Sequence, residues 1–117
     1  MRHQKKQVKL GRDRDTRRLL LGNLATSLIL HEKMQTTAAK AKAVQPLIDE
    51  IISKAKTKDK RISIRYLNSI LQSDLSARKV LEKLAPRYSE RKSGFTRIIP
   101  IKFRAGDNAP LVQIELI

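Results

Sequence analysis

The chain has 117 residues, enough for one domain with a modest core, and because 40% of them are hydrophobic its composition excludes intrinsic disorder. Its 26 Lys and Arg residues against 11 Asp and Glu leave a net charge of +15, so we expect a polyanionic partner, RNA or DNA ahead of an anionic membrane surface. It has no cysteine, which excludes disulfides, thiolate catalysis and Cys-based metal sites.

Residues 1–14 form a basic segment with six Lys and Arg side chains and one acid, Asp13. The segment has too few apolar residues to bury its own backbone, so we expect an extended arm that contacts the polyanion, with a disordered solubilising tail as the alternative. It holds no secretory signal, and no run in the chain approaches the roughly 20 apolar residues of a membrane span. We therefore expect the protein to stay in the compartment where it is made.

The arm leads into a first helix, with Asp15 as its predicted N-cap. Arg17 and Arg18 fall in the first turn, where a cation opposes the helix dipole unless an anion lies close. Gly22 lies inside the helix and either permits the close approach of another backbone or has no structural role. His31 ends the helix, where the role of a C-terminal cation is favoured over catalysis. The apolar stripe consists of Leu20, Leu21, Leu24, Ala25 and Leu28.

A short strand around Met34 precedes a second helix over residues 38–56, with Thr36 or Thr37 as its N-cap. Pro46 inside this helix predicts a kink one turn earlier. The apolar stripe of the helix consists of Ala41, Val44, Ile48, Ile51, Ile52 and Ala55.

Two shorter helices are predicted next, over residues 60–72 and 74–85. Ser73 or Asp74 caps the second of them, and Pro86 closes it. The inward residues are Ile64, Leu67, Ile70 and Leu71 in the first helix, and Val80, Leu81 and Leu84 in the second.

The last third of the chain alternates with the period of a β-strand over residues 96–104 and again over residues 111–117. The AGDNAP segment between them supplies turn residues, which predicts an antiparallel hairpin. Pro100 indicates an edge strand or a bulge. The residues that share a face are Ile99, Ile101 and Phe103 in the first strand, and Val112, Ile114 and Leu116 in the second.

No constellation of residues predicts catalysis. His3 and His31 are the two histidines and lie on different elements, so no metal-ligand spacing appears. Asp49 and Glu50 are adjacent on a helix and therefore point in different directions. Asp107 with its neighbouring amide offers too few ligands for a cation and is assigned to a turn. We expect no enzyme activity, no cofactor, no metal and no small-molecule substrate.

Basic residues outside the arm gather in three clusters, where each contact with a phosphate releases a counterion and makes binding salt-dependent. The clusters are Lys40 and Lys42; Lys54, Lys56, Lys58, Lys60 and Arg61; and Arg87, Arg91, Lys92 and Arg97. Aromatic residues are few. Tyr88 and Phe95 are candidates to flank one base, while Phe103 is assigned to the core. We therefore expect contacts with phosphates and with the shape of folded RNA rather than with single strands.

Four blocks of sequence follow one another along nearly the whole chain. They are MRH with the Lys-rich stretch and KLGR, then NLATSLILHEKMQTTAAKAK, then LAPRYSERKSGFTRI, and then FRAGDNAPLVQIELI. In this order and spacing they resemble the bacterial large-subunit ribosomal protein family numbered seventeen. The resemblance implies an α+β fold of helix, strand, three helices and two strands in two layers. We expect an extended basic arm, residues 1–14, followed by a single globular domain, residues 15–117.

The resemblance also implies a structural role without catalysis. The protein is expected to bind and stabilise folded large-subunit ribosomal RNA near the exit of the peptide tunnel, beside neighbouring large-subunit proteins, in the cytoplasm and without a membrane partner. A free nucleic-acid-binding regulator or nucleoid protein, and a membrane-active cationic protein, are the alternatives. The RNA-contacting candidates that the motifs match are Arg2, His3, Lys5, Lys6, Lys9, Arg12, Lys40, Lys42, Arg87, Arg91 and Arg97. Arg17, Arg18 and Lys92 join them by charge and position.

Overall fold

The elements follow the predicted order of helix, strand, three helical stretches and two strands. The structure is a computed structural model and describes residues 9–57 and 59–117. The helices are α1 Arg14–His31, α2 Ala38–Thr57, α3 Lys60–Ile70, α4 Asp74–Lys79 and α5 Ala85–Arg87, the last two joined by a π-helical turn, Val80–Leu84. The strands are β1 Lys33–Thr37, β2 Thr96–Phe103 and β3 Pro110–Leu116. The α+β class is therefore confirmed.

Helix α1 begins two residues earlier than predicted, because Asp13 and not Asp15 is its N-cap. The Asp13 carboxylate accepts a hydrogen bond of 2.8 Å from the Thr16 amide, and the Arg17 amide closes the first turn on the Asp13 carbonyl at 3.0 Å. These hydrogen bonds from Thr16, and to a lesser extent the charge of Arg17, lower the pKa of Asp13. This start leaves Asp15 inside the first turn, where a carboxylate also faces the positive end of the helix dipole, so both acids are placed favourably.

Gly22 lies where α1 meets the C-terminal end of α3. A Cβ atom at Gly22 would lie 2.7 Å from the backbone oxygen of Ile70. Thr26, one turn along α1, donates its hydroxyl to the Gly22 carbonyl at 2.8 Å and accepts the Gln72 amide at 3.0 Å. The close approach of another backbone is therefore the role of this glycine, and the buried Thr26 hydroxyl links the two segments.

Helix α2 provides the centre of the core. Its predicted stripe is confirmed, since Ala41, Val44, Ile48, Ile51 and Ile52 have no exposed surface and Ala55 packs against them. The helix continues on both sides of Pro46, which is exposed. It contacts α1, α3 and all three strands. Because one helix contacts all three strands and most of the other helices, the fold is organised around it.

The two later helices differ from prediction in which residues they bury and where they end. In α3 the core-facing residues are Ser63 and Leu67, while Ile64 is 43% exposed, so its inward assignment is wrong. Ser73 caps α4, as predicted. The prediction that Pro86 ends the helix is wrong, since Pro86 lies within α5. The π-helical turn before it ends with a hydrogen bond from the Ala85 amide to the Val80 carbonyl. A wider turn accommodates the proline ring, which would clash with the carbonyl one α-helical turn earlier.

The three strands form one antiparallel sheet in the order β1, β3, β2. The predicted hairpin is β2 with β3, and Val112, Ile114 and Leu116 of the central strand face the core as predicted. Strand β2 is at an edge, and its register shifts between Pro100 and Lys102. Both predictions made from Pro100, the edge strand and the bulge, are therefore confirmed.

Three aromatic residues differ from prediction in their exposure to solvent. Phe95 is fully buried and Tyr88 is 4% exposed, with their ring centroids 5.2 Å apart, so neither side chain can flank a base. Phe103 is 65% exposed, so its assignment to the core is wrong. Residues 99–108 are all exposed because the outer half of the hairpin extends beyond the helices. The predicted shared face of Ile99, Ile101 and Phe103 is also wrong, because the register shift puts Ile99 opposite Gln113 and Phe103 opposite Pro110, on different faces of the sheet.

Candidate nucleic-acid interface

The chain reverses direction immediately before α1. The Arg12 amide donates to the Lys9 carbonyl at 3.1 Å across a turn in which Leu10 and Gly11 both have positive φ angles, 54° and 66°. The Arg12 guanidinium donates to the Leu10 carbonyl at 2.8 Å, and Lys9 is exposed. The turn therefore presents Lys9 to solvent beside the start of the helix. The candidates Arg2, His3, Lys5 and Lys6 lie outside the described residues.

A groove with a volume of about 650 Å³ lies between the start of α1 and the end of α3. We call it the Arg17 groove. Its residues are Arg14, Asp15, Arg17, Arg18, Leu19, Leu21, Leu47, Ser69, Ile70 and Gln72. Three arginines and one acid thus surround a floor made largely of Leu and Ile side chains. Arg14 lies 3.7 Å from Asp15, and Arg18 donates to the Ser69 carbonyl at 3.5 Å.

A second basic surface forms where α2 ends beside the loop after α5. The Lys56 ammonium contacts the Arg91 carbonyl and lies 5.2 Å from the centroid of the Phe95 ring. Arg91 donates to the Gly94 carbonyl at 3.0 Å, and Gly94 has a φ of 68°, which a side chain would strain. Lys92 is exposed in this loop. The fold therefore brings together basic residues from two of the predicted clusters.

Two of the predicted RNA-contact residues form ion pairs with carboxylates of the protein itself. Arg97 on β2 donates to the Glu115 carboxylate on β3 at 2.8 Å, and Arg87 pairs with Glu32. Glu32 follows α1 in a left-handed conformation, φ 63°, and also lies 3.6 Å from the Lys79 ammonium. The hydrogen bond from Arg87, followed by the charges of Arg87 and Lys79, holds the pKa of Glu32 below its usual value. Neither pairing could be predicted, because each joins residues distant in sequence.

We expect Glu32→Gln to lower the free energy of unfolding by about 0.5–1 kcal/mol at neutral pH, as for other partly exposed ion pairs. Because the pKa of Glu32 is lower in the folded chain than its ordinary 4.5, its ionised form stabilises the fold above that pH. This contribution is lost as the pH falls through the folded pKa. Urea denaturation should show a larger difference between variant and parent at pH 7 than at about pH 3.

Glu82→Gln is the matched control, since Glu82 is exposed and belongs to no ion pair among the described residues. It should leave the unfolding free energy unchanged at both pH values. An equal loss for Glu32→Gln at both pH values would show that its charge is not the source of the effect.

The remaining candidates are spread over the body. Lys42 is exposed and Lys40 half-buried in the first turn of α2. Two arginines outside the predicted set are further candidates, Arg14, which lines the groove, and Arg65, which is exposed and forms no ion pair among the described residues. Arg65 lies four residues after Arg61, a spacing that places both on one face of a helix and that the sequence already contains.

Within the described part of the chain, no group of three or more His, Cys, Asp or Glu side chains is arranged to hold a metal ion. The Asp107 carboxylate instead accepts two hydrogen bonds from Arg104, at 3.0 and 2.6 Å, and one from the Ala109 amide. These bonds, chiefly those from Arg104, lower the pKa of Asp107 to about 2. Its assignment to the turn is confirmed. None of the described helices combines the length and the apolar character needed to cross a bilayer.

The small α+β body carries arginine-rich surfaces, one in a groove and one in a loop. These features are typical of the class of basic proteins that contact phosphates. The sequence profile of the family described as Ribosomal protein L17 matches residues 20–117. The chain is 42% identical to the large ribosomal subunit protein bL17 of Wolinella succinogenes and 37% identical to that of Neorickettsia sennetsu, with all of both chains covered in each comparison. It is 38% identical to that of Allorhizobium ampelinum, covering 82% of the relative.

The chain therefore belongs to the Ribosomal protein L17 family. The resemblance inferred from the four sequence blocks is confirmed. Because the family consists of ribosomal proteins and not of enzymes, the prediction that the chain is not an enzyme is confirmed as well.

Proposed function

We propose that this protein is a structural constituent of the large ribosomal subunit that binds folded large-subunit ribosomal RNA near the exit of the peptide tunnel, without catalysis. Membership of the family carries the assignment to the large subunit, in the ribosome and therefore in the cytoplasm. The charge supports an RNA partner, because 26 basic residues against 11 acidic ones cannot be neutralised within the chain.

The mechanism that we propose is electrostatic. A two-layer body, with its helices over one face of the sheet, docks on folded RNA, and the arm, residues 1–14, threads between RNA segments and screens their mutual repulsion. The predicted cations of the body that form no ion pair among the described residues, such as Lys42, Lys92 and Arg18, contact phosphates. Arg87 and Arg97 instead hold the body together, since each has a carboxylate partner. Ordering of the arm is coupled to binding, so its entropic cost is met during assembly.

Sedimentation of a cell extract tests the assignment. The protein should migrate with large subunits at low salt and be released only at high salt, because each phosphate contact releases a counterion on binding. A soluble pool of the protein that is separate from large subunits and bound to DNA would instead support a regulator or nucleoid protein. Binding to anionic vesicles as tight as binding to RNA would support a membrane-active protein. A density map of the assembled large subunit would test the position near the tunnel exit and identify the neighbouring proteins.

A further inference from the structure

The Arg17 groove combines two features that phosphate contact alone does not require, a buried arginine and an apolar floor. We propose that the groove holds one unstacked nucleotide of the ribosomal RNA, with its phosphate on Arg17 and Arg18 and its base against Leu19, Leu21 and Ile70. This inference rests on the proposed function, RNA binding, and adds to it the chemical form of the RNA at one site.

Arg17 is the first reason. The residue is 9% exposed, yet none of the ion pairs among the described residues includes it. Residues 1–8 and 58 contain no Asp or Glu, so they cannot supply a carboxylate either. Of the five N–H donors of the guanidinium, one is matched to a carbonyl, that of Arg12, at 3.5 Å. A largely buried guanidinium without a carboxylate in direct contact favours an anion from outside the protein, and the place of Arg17 in the lining of the groove leaves it accessible to one.

The positive charge of the groove comes from side chains and not from the helix end. The N-terminus of α1 is already occupied by the Asp13 carboxylate. Asp15 opposes an incoming anion, but it lies 3.7 Å from Arg14 and is offset by it. Arg17 feels the charge of Asp13, but neither Arg17 nor Arg18 has a carboxylate at ion-pair distance among the described residues, and Arg18 has only a long bond to a carbonyl. The groove therefore attracts an anion through these two guanidinium groups.

The apolar floor is the second reason. Leu19 is 56% exposed, and Leu21, Leu47 and Ile70 are half-buried around it. A phosphate gains nothing from contact with these side chains, whereas a base that has left its stack presents a planar apolar face beside a charged phosphate. Arginine guanidinium groups also stack on bases, so the aromatic residues that the groove lacks are not required. A volume of about 650 Å³ lies within the range of cavities that hold small ligands, so one nucleotide fits.

A helical RNA segment fits these observations less well. A duplex presents phosphates on a convex surface and keeps its bases stacked inside, so it would leave Leu19 in contact with water. A protein segment with apolar and acidic side chains would satisfy the groove chemically. The groove adjoins Arg12, whose carbonyl contacts Arg17, and so lies at the end of the basic segment, whose charge favours RNA over an acidic protein segment.

Binding of the full-length protein to purified large-subunit ribosomal RNA, measured across a salt series, tests the proposal. Leu19→Ala should weaken binding about fivefold without changing the salt slope, because an apolar contact releases no counterion. Arg17→Met should weaken binding and reduce the slope by about 0.7–0.9. Leu75→Ala is the matched control, since Leu75 is 66% exposed on α4 outside the groove, and it should leave both affinity and slope unchanged. Thermal unfolding of each variant shows whether it is folded, and Leu19→Ala remains informative if the buried Arg17 cannot be replaced.

Photo-crosslinking in assembled large subunits identifies the occupant. With Leu19→p-benzoyl-phenylalanine, we expect a crosslink to one unpaired nucleotide. Crosslinks to a ribosomal protein, to a second copy of the chain or to paired nucleotides, or no crosslink at all, would overturn the proposal, as would unchanged binding by Leu19→Ala. These outcomes leave RNA binding by the parent protein intact. Failure of the parent to bind the RNA would overturn the proposed function itself, so the two failures are distinguishable.

Discussion

Gly22→Ala should lower the free energy of unfolding by about 1–3 kcal/mol, although alanine is the better helix former by about 1 kcal/mol. The reason is the 2.7 Å approach of the new Cβ atom to the Ile70 carbonyl oxygen. That oxygen belongs to the backbone at the end of α3 and cannot rotate away, as the end of a flexible side chain would. The two segments must therefore separate, and the Thr26 hydroxyl, which joins the Gly22 carbonyl to the Gln72 amide, loses one of its partners.

Urea denaturation of the full chain measures this effect, and Asn23→Ala is its control. Asn23 is the next residue of α1 and is exposed, so alanine there keeps the gain in helix propensity without the clash. We expect Asn23→Ala to be neutral or slightly stabilising. If Gly22→Ala unfolded at the same urea concentration as the parent, or at a higher one, the close approach of α1 and α3 would not constrain this position.

Gly22 also shows what the sequence can and cannot predict about this fold. The order of elements, the stripe of α2 and the β2–β3 hairpin follow from periodicity, because each depends on residues close in the chain. The role of Gly22 stayed open because the atom that excludes a side chain, the Ile70 oxygen, lies 48 residues away. The misplacement of Phe103 has a similar cause, since the extent of the helical layer over the hairpin is a property of the whole fold.

The candidate site divides in the same way. Charge along the chain identified the basic clusters, but not which cations the fold neutralises internally. Glu32 and Glu115 pair with Arg87 and Arg97 across 55 and 18 residues. Arg17 is the opposite case, a cation that the fold leaves without an ion pair among the described residues. The sequence alone places it in the first turn of α1, where its charge opposes the helix dipole. The residue is 9% exposed with no carboxylate at ion-pair distance among the described residues, and the proposed nucleotide site rests on this observation.

Deleting residues 2–12 should have the largest effect on RNA binding. The deletion removes Arg2, Lys5, Lys6, Lys9 and Arg12, and if each of these five cations contacts a phosphate, the salt slope should fall by about 3.5–4.5. Affinity at about 0.1 M salt should then fall on the order of a hundredfold or more. The helical body should remain folded, because the deletion keeps Asp13 and with it the N-cap of α1.

Equilibrium binding to large-subunit ribosomal RNA across a salt series measures the slope, and circular dichroism verifies the body. A full-length variant in which the same five cations become Gln separates charge from chain length. It should match the deletion in slope, because counterion release depends on neutralised phosphates and not on the backbone that carries the charges. If the deletion bound with the slope of the parent, the arm would not be an electrostatic contact, and the cations of the body would account for binding alone. If the deletion lost slope while the Gln variant did not, the arm would act through its backbone or its remaining side chains.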